Sequence, residues 1–258
     1  MLFRSDVWQK SVATPVIRST EFGLTELDEP QEGRTLIGSA DPSNIWKQDG
    51  RYFMLTGNLL VLNKIGRSPE APLSEQGDRL YLFESEDLIT WKYRHVFYER
   101  NPVWTESSED NMCPSFLPLP ATPEGGCPTG KHLLLFISHN KGCQYYVGEY
   151  RNDHFFPENH GRMTWQDNTY FAPEALMDDK GRQIMWVWLT DNPGGDKERG
   201  WSGVFGMPRT LWLDQDNRLC MRPVQEMERL RANPKVWESV VVNPENPVQL
   251  EDRKSTRL

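Results

Sequence analysis

Acidic residues stand beside three short X-Pro elements. Asp41 precedes Pro42, Glu109 and Asp110 lie just ahead of Cys113-Pro114, and Glu174 follows Ala172-Pro173. Carboxyl groups gathered at one pocket can pass a proton in either direction or face a developing positive charge. Each has a plainer reading. An Asp before Pro caps a turn, and two adjacent acids before a strand form a solvated loop. Glu106 and the cluster Asp196-Lys197-Glu198-Arg199 read as solvated charge. The four cysteines, Cys113, Cys127, Cys143 and Cys220, form no CxxC pair and have no zinc-like spacing; they read as free or buried thiols. The five histidines are scattered without an HExxH, so neither a catalytic metal nor another cofactor is expected.

The formal charge of −8 over 258 residues argues against binding nucleic acid or an anionic membrane surface, and fits a neutral ligand better. No apolar run approaches the ~18–20 residues of a membrane span. With 37% hydrophobic and 26% charged residues, the chain has the composition of a globular domain able to bury a core.

The elements that must position those acids are strands. Ile45-Trp46-Lys47-Gln48, Asp49-Gly50 and Arg51-Tyr52-Phe53-Met54-Leu55 read as a hairpin about a DG turn. Strands are expected over 79–85, 92–97, 131–138 and 144–150, with hairpins over 176–189 and 211–221. No stretch of twelve residues carries a helical period, and residues 223–230 make at most one or two turns. The chain is therefore all-β. The three X-Pro elements, with prolines 72 and 59 residues apart, each introduce strand pairs. Proline is tolerated at the first residue of a strand and favours an extended predecessor. Repeated strand groups introduced in this way suggest a β-propeller.

The succession of motifs resembles glycoside hydrolase family 32. Phe171-Ala172-Pro173-Glu174, with residues 178–188 after it, is similar to the family's fourth-blade region. Gly200-Trp201-Ser202-Gly203, Met207-Pro208-Arg209 and Pro223-Val224-Gln225-Glu226 resemble its fifth blade. Upstream, the run from Ser85 to Trp91 resembles its S-x-D-L-x-x-W turn. Ala40-Asp41-Pro42 matches its R-D-P signature at two of three positions, and Cys113-Pro114 matches most of its E-C-P signature. The resemblance runs over about residues 6–235. It implies a five-bladed propeller, present from roughly the end of blade 2 through blade 5, that releases β-linked fructosyl units from sucrose or fructans with retention.

Retaining chemistry pairs a carboxylate nucleophile with a carboxylic acid. The resemblance places the nucleophile in an N-D-P-N-like segment of the first blade, and the sequence contains no such segment. It makes Asp41 the transition-state stabiliser, although Ala40 stands where the family has arginine. Met112 stands where the family's glutamate precedes Cys-Pro, so Glu109 becomes the candidate general acid and Asp110 the alternative. Glu174 and Trp201 are candidate substrate-binding residues, with Trp165 and Tyr170 as further stacking aromatics.

Residues 1–5 and 252–258 resemble translated sequencing-adapter DNA, and 236–251 read as a linker toward a possible C-terminal β-sandwich. The chain is thus expected to be a fragment that is inactive alone. Two other readings stand beside this one: a related five-bladed propeller acting on arabinose- or xylose-containing glycans, and a degenerate propeller that binds sugar without cleaving it.

Overall fold

The computed structural model describes residues 24–31, 34–38, 40–58, 77–164, 168–191, 200–232, 238–241 and 243–245. The chain forms two compact units, Met1–Val224 and Gln225–Leu258. The second contains a short 3-10 segment, Gln225–Leu230. No helix among the described residues is long and apolar enough to cross a membrane.

The first unit is built of antiparallel strands. β1 (Leu24–Gln31) and β2 (Arg34–Gly38) pair as a hairpin. A first large sheet contains β3 (Ala40–Pro42), β4 (Trp46–Gln48), β5 (Arg51–Gly57), β6 (Leu80–Ser85) and β7 (Lys92–Tyr98). Its order is β3-β5-β6-β7, with β4 also on β5. A second is a plain meander of β8 (Met112–Pro120), β9 (Pro128–Ser138), β10 (Gly142–Arg151) and β11 (His154–Arg162). A third contains β12 (Tyr170–Met177), β13 (Gln183–Leu189), β14 (Val204–Phe205), β15 (Arg209–Leu213) and β16 (Leu219–Pro223). It runs β12-β13-β15-β16, with β14 on β13.

Turn chemistry sets the hairpins. Asp49 and Gly50 both adopt positive φ, as a two-residue hairpin turn requires. Asn152 and Asp153 do the same between β10 and β11, a hairpin the sequence reading did not anticipate. At the β12–β13 turn, the Asp178 carboxylate accepts the backbone N–H groups of Lys180 (3.0 Å) and Arg182 (2.8 Å). Asp214 repeats this capping between β15 and β16, toward Asp216 and Arg218.

The central strands are buried on both faces, and their alternation shows how the sheets stack. Leu134 and Phe136 of β9 point into a cluster with Phe53, Leu55, Leu80 and Leu82 of the first sheet. The intervening Leu133 and Leu135 point the other way, into a cluster with Met185, Val187, Leu211 and Leu213 of the third. The second sheet is thus sandwiched face to face between its neighbours. Each buried Leu or Phe side chain stabilises this stack by about 1.5–3 kcal/mol.

The opening strand of each sheet carries the X-Pro element, and there the expected backbone is corrected. Asp41 (φ 47), Cys113 (φ 48) and Ala172 (φ 43) are left-handed, not extended. The pairing register slips at each: between Ala40 and Pro42, Met112 and Ser115, and Phe171 and Glu174. These are β-bulges, which bend a strand and re-aim its side chains. The steric bias of the following proline toward extended backbone is outweighed by the ladder on either side, which holds the bulge. β8 packs between β3 and β12, so the three bulged strands are neighbours.

Candidate active site

The three bulges gather a small acidic cluster. The Cys113 thiol donates to Asp41 Oδ2 at 3.3 Å. Two nearby carboxylates, Asp41 and Glu174, act on that thiol, which burial first and these charges second push up to about 12. Glu174 is exposed on one side, yet enough protein surrounds its carboxyl to raise its pKa to about 7, with the charge of Asp41 adding to the effect of burial. Among the described residues no hydrogen bond or ion pair engages the Glu174 carboxyl.

Asn44 holds Asp41 against Cys113. Its side chain donates to the Phe116 carbonyl (2.9 Å) and accepts the Phe116 N–H (2.7 Å), which stitches the first sheet to β8. One side-chain amide here replaces two rungs of a ladder. The neighbouring Ser43 hydroxyl accepts the Leu55 N–H at 2.8 Å and fixes the same segment on β5. Sequence reasoning missed both residues; their only signal was a pair of small polar residues directly after Asp-Pro.

Glu109 and Asp110 do not form a solvated loop; both are fully buried. Glu109 is gripped by Arg162 through two bonds of 3.0 and 2.8 Å, by Gln144 Nε2 at 2.8 Å, and by the Glu106 N–H at 2.9 Å. Burial opposes ionisation of Glu109, but the Arg162 guanidinium and the other donors outweigh it and hold the pKa below its ordinary value. Asp110 accepts the His139 N–H (2.8 Å) and meets His139 Nδ1 at 2.6 Å. The His139 ring in turn stands edge-on to Phe171 at the third bulge. Glu106 is exposed, as expected for solvated charge; residues 196–199 and Trp165 lie outside the described residues. Met112 is only 4% exposed and packs with Ile137 and Cys143.

Two tryptophans of the third sheet region are exposed. Trp188, 41% exposed, lies opposite Phe171 and meets its ring edge-on at 6.2 Å. Gly203, at φ +68, allows this: a Cβ there would lie 1.8 Å from Trp188 Nε1. Trp201 is 52% exposed. Tyr170, by contrast, turns its hydroxyl into the interior. Trp188 was not singled out from the sequence, where it is one tryptophan in an apolar strand.

Residues 7–223 match the family model for the N-terminal domain of glycosyl hydrolases family 32. The chain belongs to glycoside hydrolase family 32. It is 31% identical over 245 residues to a fructan 1-exohydrolase of Triticum urartu, a match covering 88% of this chain and 36% of that protein. The chain therefore spans about a third of the length of such curated relatives. In three dimensions it is similar to the fructan 1-exohydrolase IIa of Cichorium intybus, solved in complex with 1-kestose: TM-score 0.64, 23% identity, 88% of this chain and 40% of that one. It is also similar to a Bombyx mori β-fructofuranosidase of the same family, solved in complex with sucrose: TM-score 0.62, 20% identity, 87% and 43%. The three stacked antiparallel sheets of this family 32 chain are thus of the propeller type.

Proposed function

We propose that the protein to which this chain contributes releases β-linked fructosyl units from sucrose or fructans with retention of configuration, on a five-bladed propeller. The 1-kestose and sucrose held by similar proteins support substrates of that class. The observation that carries the reading is the acidic cluster itself. Asp41 stands at a bulge, close to Cys113 and Glu174, in a chain of this family. As a glycosidic bond breaks, positive charge grows on the fructosyl ring, and a fixed carboxylate at Asp41 stabilises that charge more than the neutral sugar before it. Glu174 accepts or shares a hydrogen bond with a sugar hydroxyl, and Trp201 offers a ring face for stacking. Glu109 and Asp110 support the site: ionised and held by Arg162, Glu109 is a poor proton donor, and Asp110 fixes His139 beside Phe171.

The nucleophile is expected from an N-D-P-N-like segment outside these 258 residues. The isolated chain should therefore release no fructose from sucrose or inulin, whereas the full-length gene product should, as read by chromatography of the products. Turnover by the isolated chain would refute the missing-nucleophile reading. Met112 and Ala40, where the family has glutamate and arginine, favour one competing reading: fructose binding without release by the full-length protein would establish a sugar-binding propeller instead.

A further inference from the structure

Cleaving sucrose requires a proton on the departing oxygen, because a sugar alkoxide is a poor leaving group. At the position where the family's glutamate precedes Cys-Pro, this chain has Met112, whose thioether carries no proton and whose side chain packs with Ile137 and Cys143. Three carboxyl groups remain near the bulges of β8 and β12. Glu109 takes two bonds from Arg162 and one each from Gln144 and the Glu106 N–H, so delivering a proton would require dismantling a buried ion pair. Asp110 is committed to the backbone and ring of His139. Glu174 has neither constraint. It lies just past the third bulge, is exposed, and stands within electrostatic reach of Asp41.

We propose that Glu174 is the general acid of this protein, so that the proton comes from β12 rather than from the start of β8. The inference rests on the hydrolase reading above. In the step proposed, the Glu174 O–H gives its proton to the glycosidic oxygen. The bond from that oxygen to the anomeric carbon of fructose breaks, and its electron pair stays on the oxygen, which departs as a neutral alcohol. Asp41 faces the positive charge left on the fructosyl ring, and the carboxylate nucleophile bonds to the anomeric carbon. A water molecule then attacks that carbon, displaces the nucleophile, and gives its proton to the Glu174 carboxylate, which restores the acid.

The surroundings suit this cycle. Burial, reinforced by the negative charge of Asp41, holds the Glu174 carboxyl up to about 7, so a substantial fraction carries the proton at neutral pH. Among the described residues, the titratable groups around it are Asp41 from β3 and Cys113 from β8. Asp110 with His139 lies beyond Cys113, and Tyr170, within reach of Arg209, lies on its own strand. Asp41 acts against ionisation of Glu174.

The test compares wild type and Glu174→Gln of the full-length gene product on sucrose and on a nitrophenyl β-fructofuranoside, whose leaving group departs without a proton. The expected result is a loss of about 10²- to 10⁴-fold on sucrose, most of the bond-cleavage rate kept on the nitrophenyl substrate, and disappearance of the alkaline limb of the pH–rate profile. In the Asp41→Asn protein that limb should move to lower pH, since a charge that raises the Glu174 pKa is gone; a merely structural Glu174 would not produce this. Glu109→Gln should leave the ratio of the two rates unchanged. Equal losses on both substrates for Glu174→Gln, or no loss on either, would overturn the assignment while leaving the hydrolase reading intact. A wild-type protein that cleaves neither substrate would overturn the hydrolase reading, and this inference with it.

Discussion

Two groups of carboxylates in this molecule meet opposite fates. Asp78, Glu109 and Asp110 are fully buried, and each is surrounded by donors. Asp78 accepts from Asn111 Nδ2 and Thr105 Oγ1, both at 3.0 Å, and from the Tyr146 hydroxyl. Asp41 and Glu174 are exposed; a single thiol donates to Asp41, and among the described residues nothing donates to Glu174. The interior group uses its hydrogen-bonding capacity to hold strands and loops together. Among the described residues, the group at the bulges leaves most of that capacity unused. A buried, fully bonded acid is a structural element, whereas an acid left unbonded and close to another acid can do chemistry.

The comparison can be broken most severely at Asp41. Asp41→Asn in the full-length protein should lower kcat by about 10²–10³, equivalent to about 2.7–4 kcal/mol, while the thermal midpoint stays at the wild-type value. A large drop in the midpoint would move Asp41 into the structural group. Next is Arg162→Met, which leaves the Glu109 carboxylate buried without its partner. The expected destabilisation is about 3 kcal/mol, the low end for a broken buried pair, because the guanidinium is itself 34% exposed. Urea unfolding would measure it, and the rate ratio between sucrose and the nitrophenyl fructoside should not move.

The smallest effect sharpens the contrast inside the buried group. Burial outweighs the hydrogen bonds at Asp78 and raises its pKa to about 6, against 3.8 ordinarily. Its favourable contribution is therefore complete below about pH 4 and is lost as pH rises through about 6. Glu109, held below its ordinary value, contributes in the opposite sense: its stabilisation is present above the usual carboxylate range and fades as pH falls. Asp78→Asn keeps an acceptor oxygen in place. Near neutrality it should change stability by about 1 kcal/mol or less, while flattening the decline between about pH 4 and 6. Unfolding free energies measured across that range would show whether the slope persists.

Local signals were readable in the sequence. The Asp49-Gly50 turn and the Asp178 to Gly181 turn lie where their composition put them, and the X-Pro elements open three sheets. What the sequence hid depended on partners far along the chain. Glu109 looked like solvated loop because its guanidinium lies 53 residues away, and Asn44 looked incidental because the backbone it clasps lies 72 residues away. The steric rule for a residue before proline favoured extended backbone at Asp41, Cys113 and Ala172, and it failed at all three. A bulge is a property of two strands in register, and only one of them is visible at a time in a linear reading. β11 was missed because Pro157 and several polar residues obscure its alternation.

The repeated bulge also bears on how such a domain can change over generations. Past the left-handed Ala172, β12 alternates: Pro173 and Ala175 are buried, and Glu174 and Leu176 are exposed. At a buried position of such a strand an altered volume costs stability, whereas an exposed position beside it escapes that constraint. Ala40 and Met112 directly precede the left-handed residues of their bulges, and both differ from the motifs they otherwise resemble; Met112 is nevertheless packed with Ile137 and Cys143. At the third bulge, an outward acid and inward core residues therefore share one strand. Selection can therefore exchange the chemistry at an outward position such as Glu174 while the buried neighbours on the same strand keep the architecture.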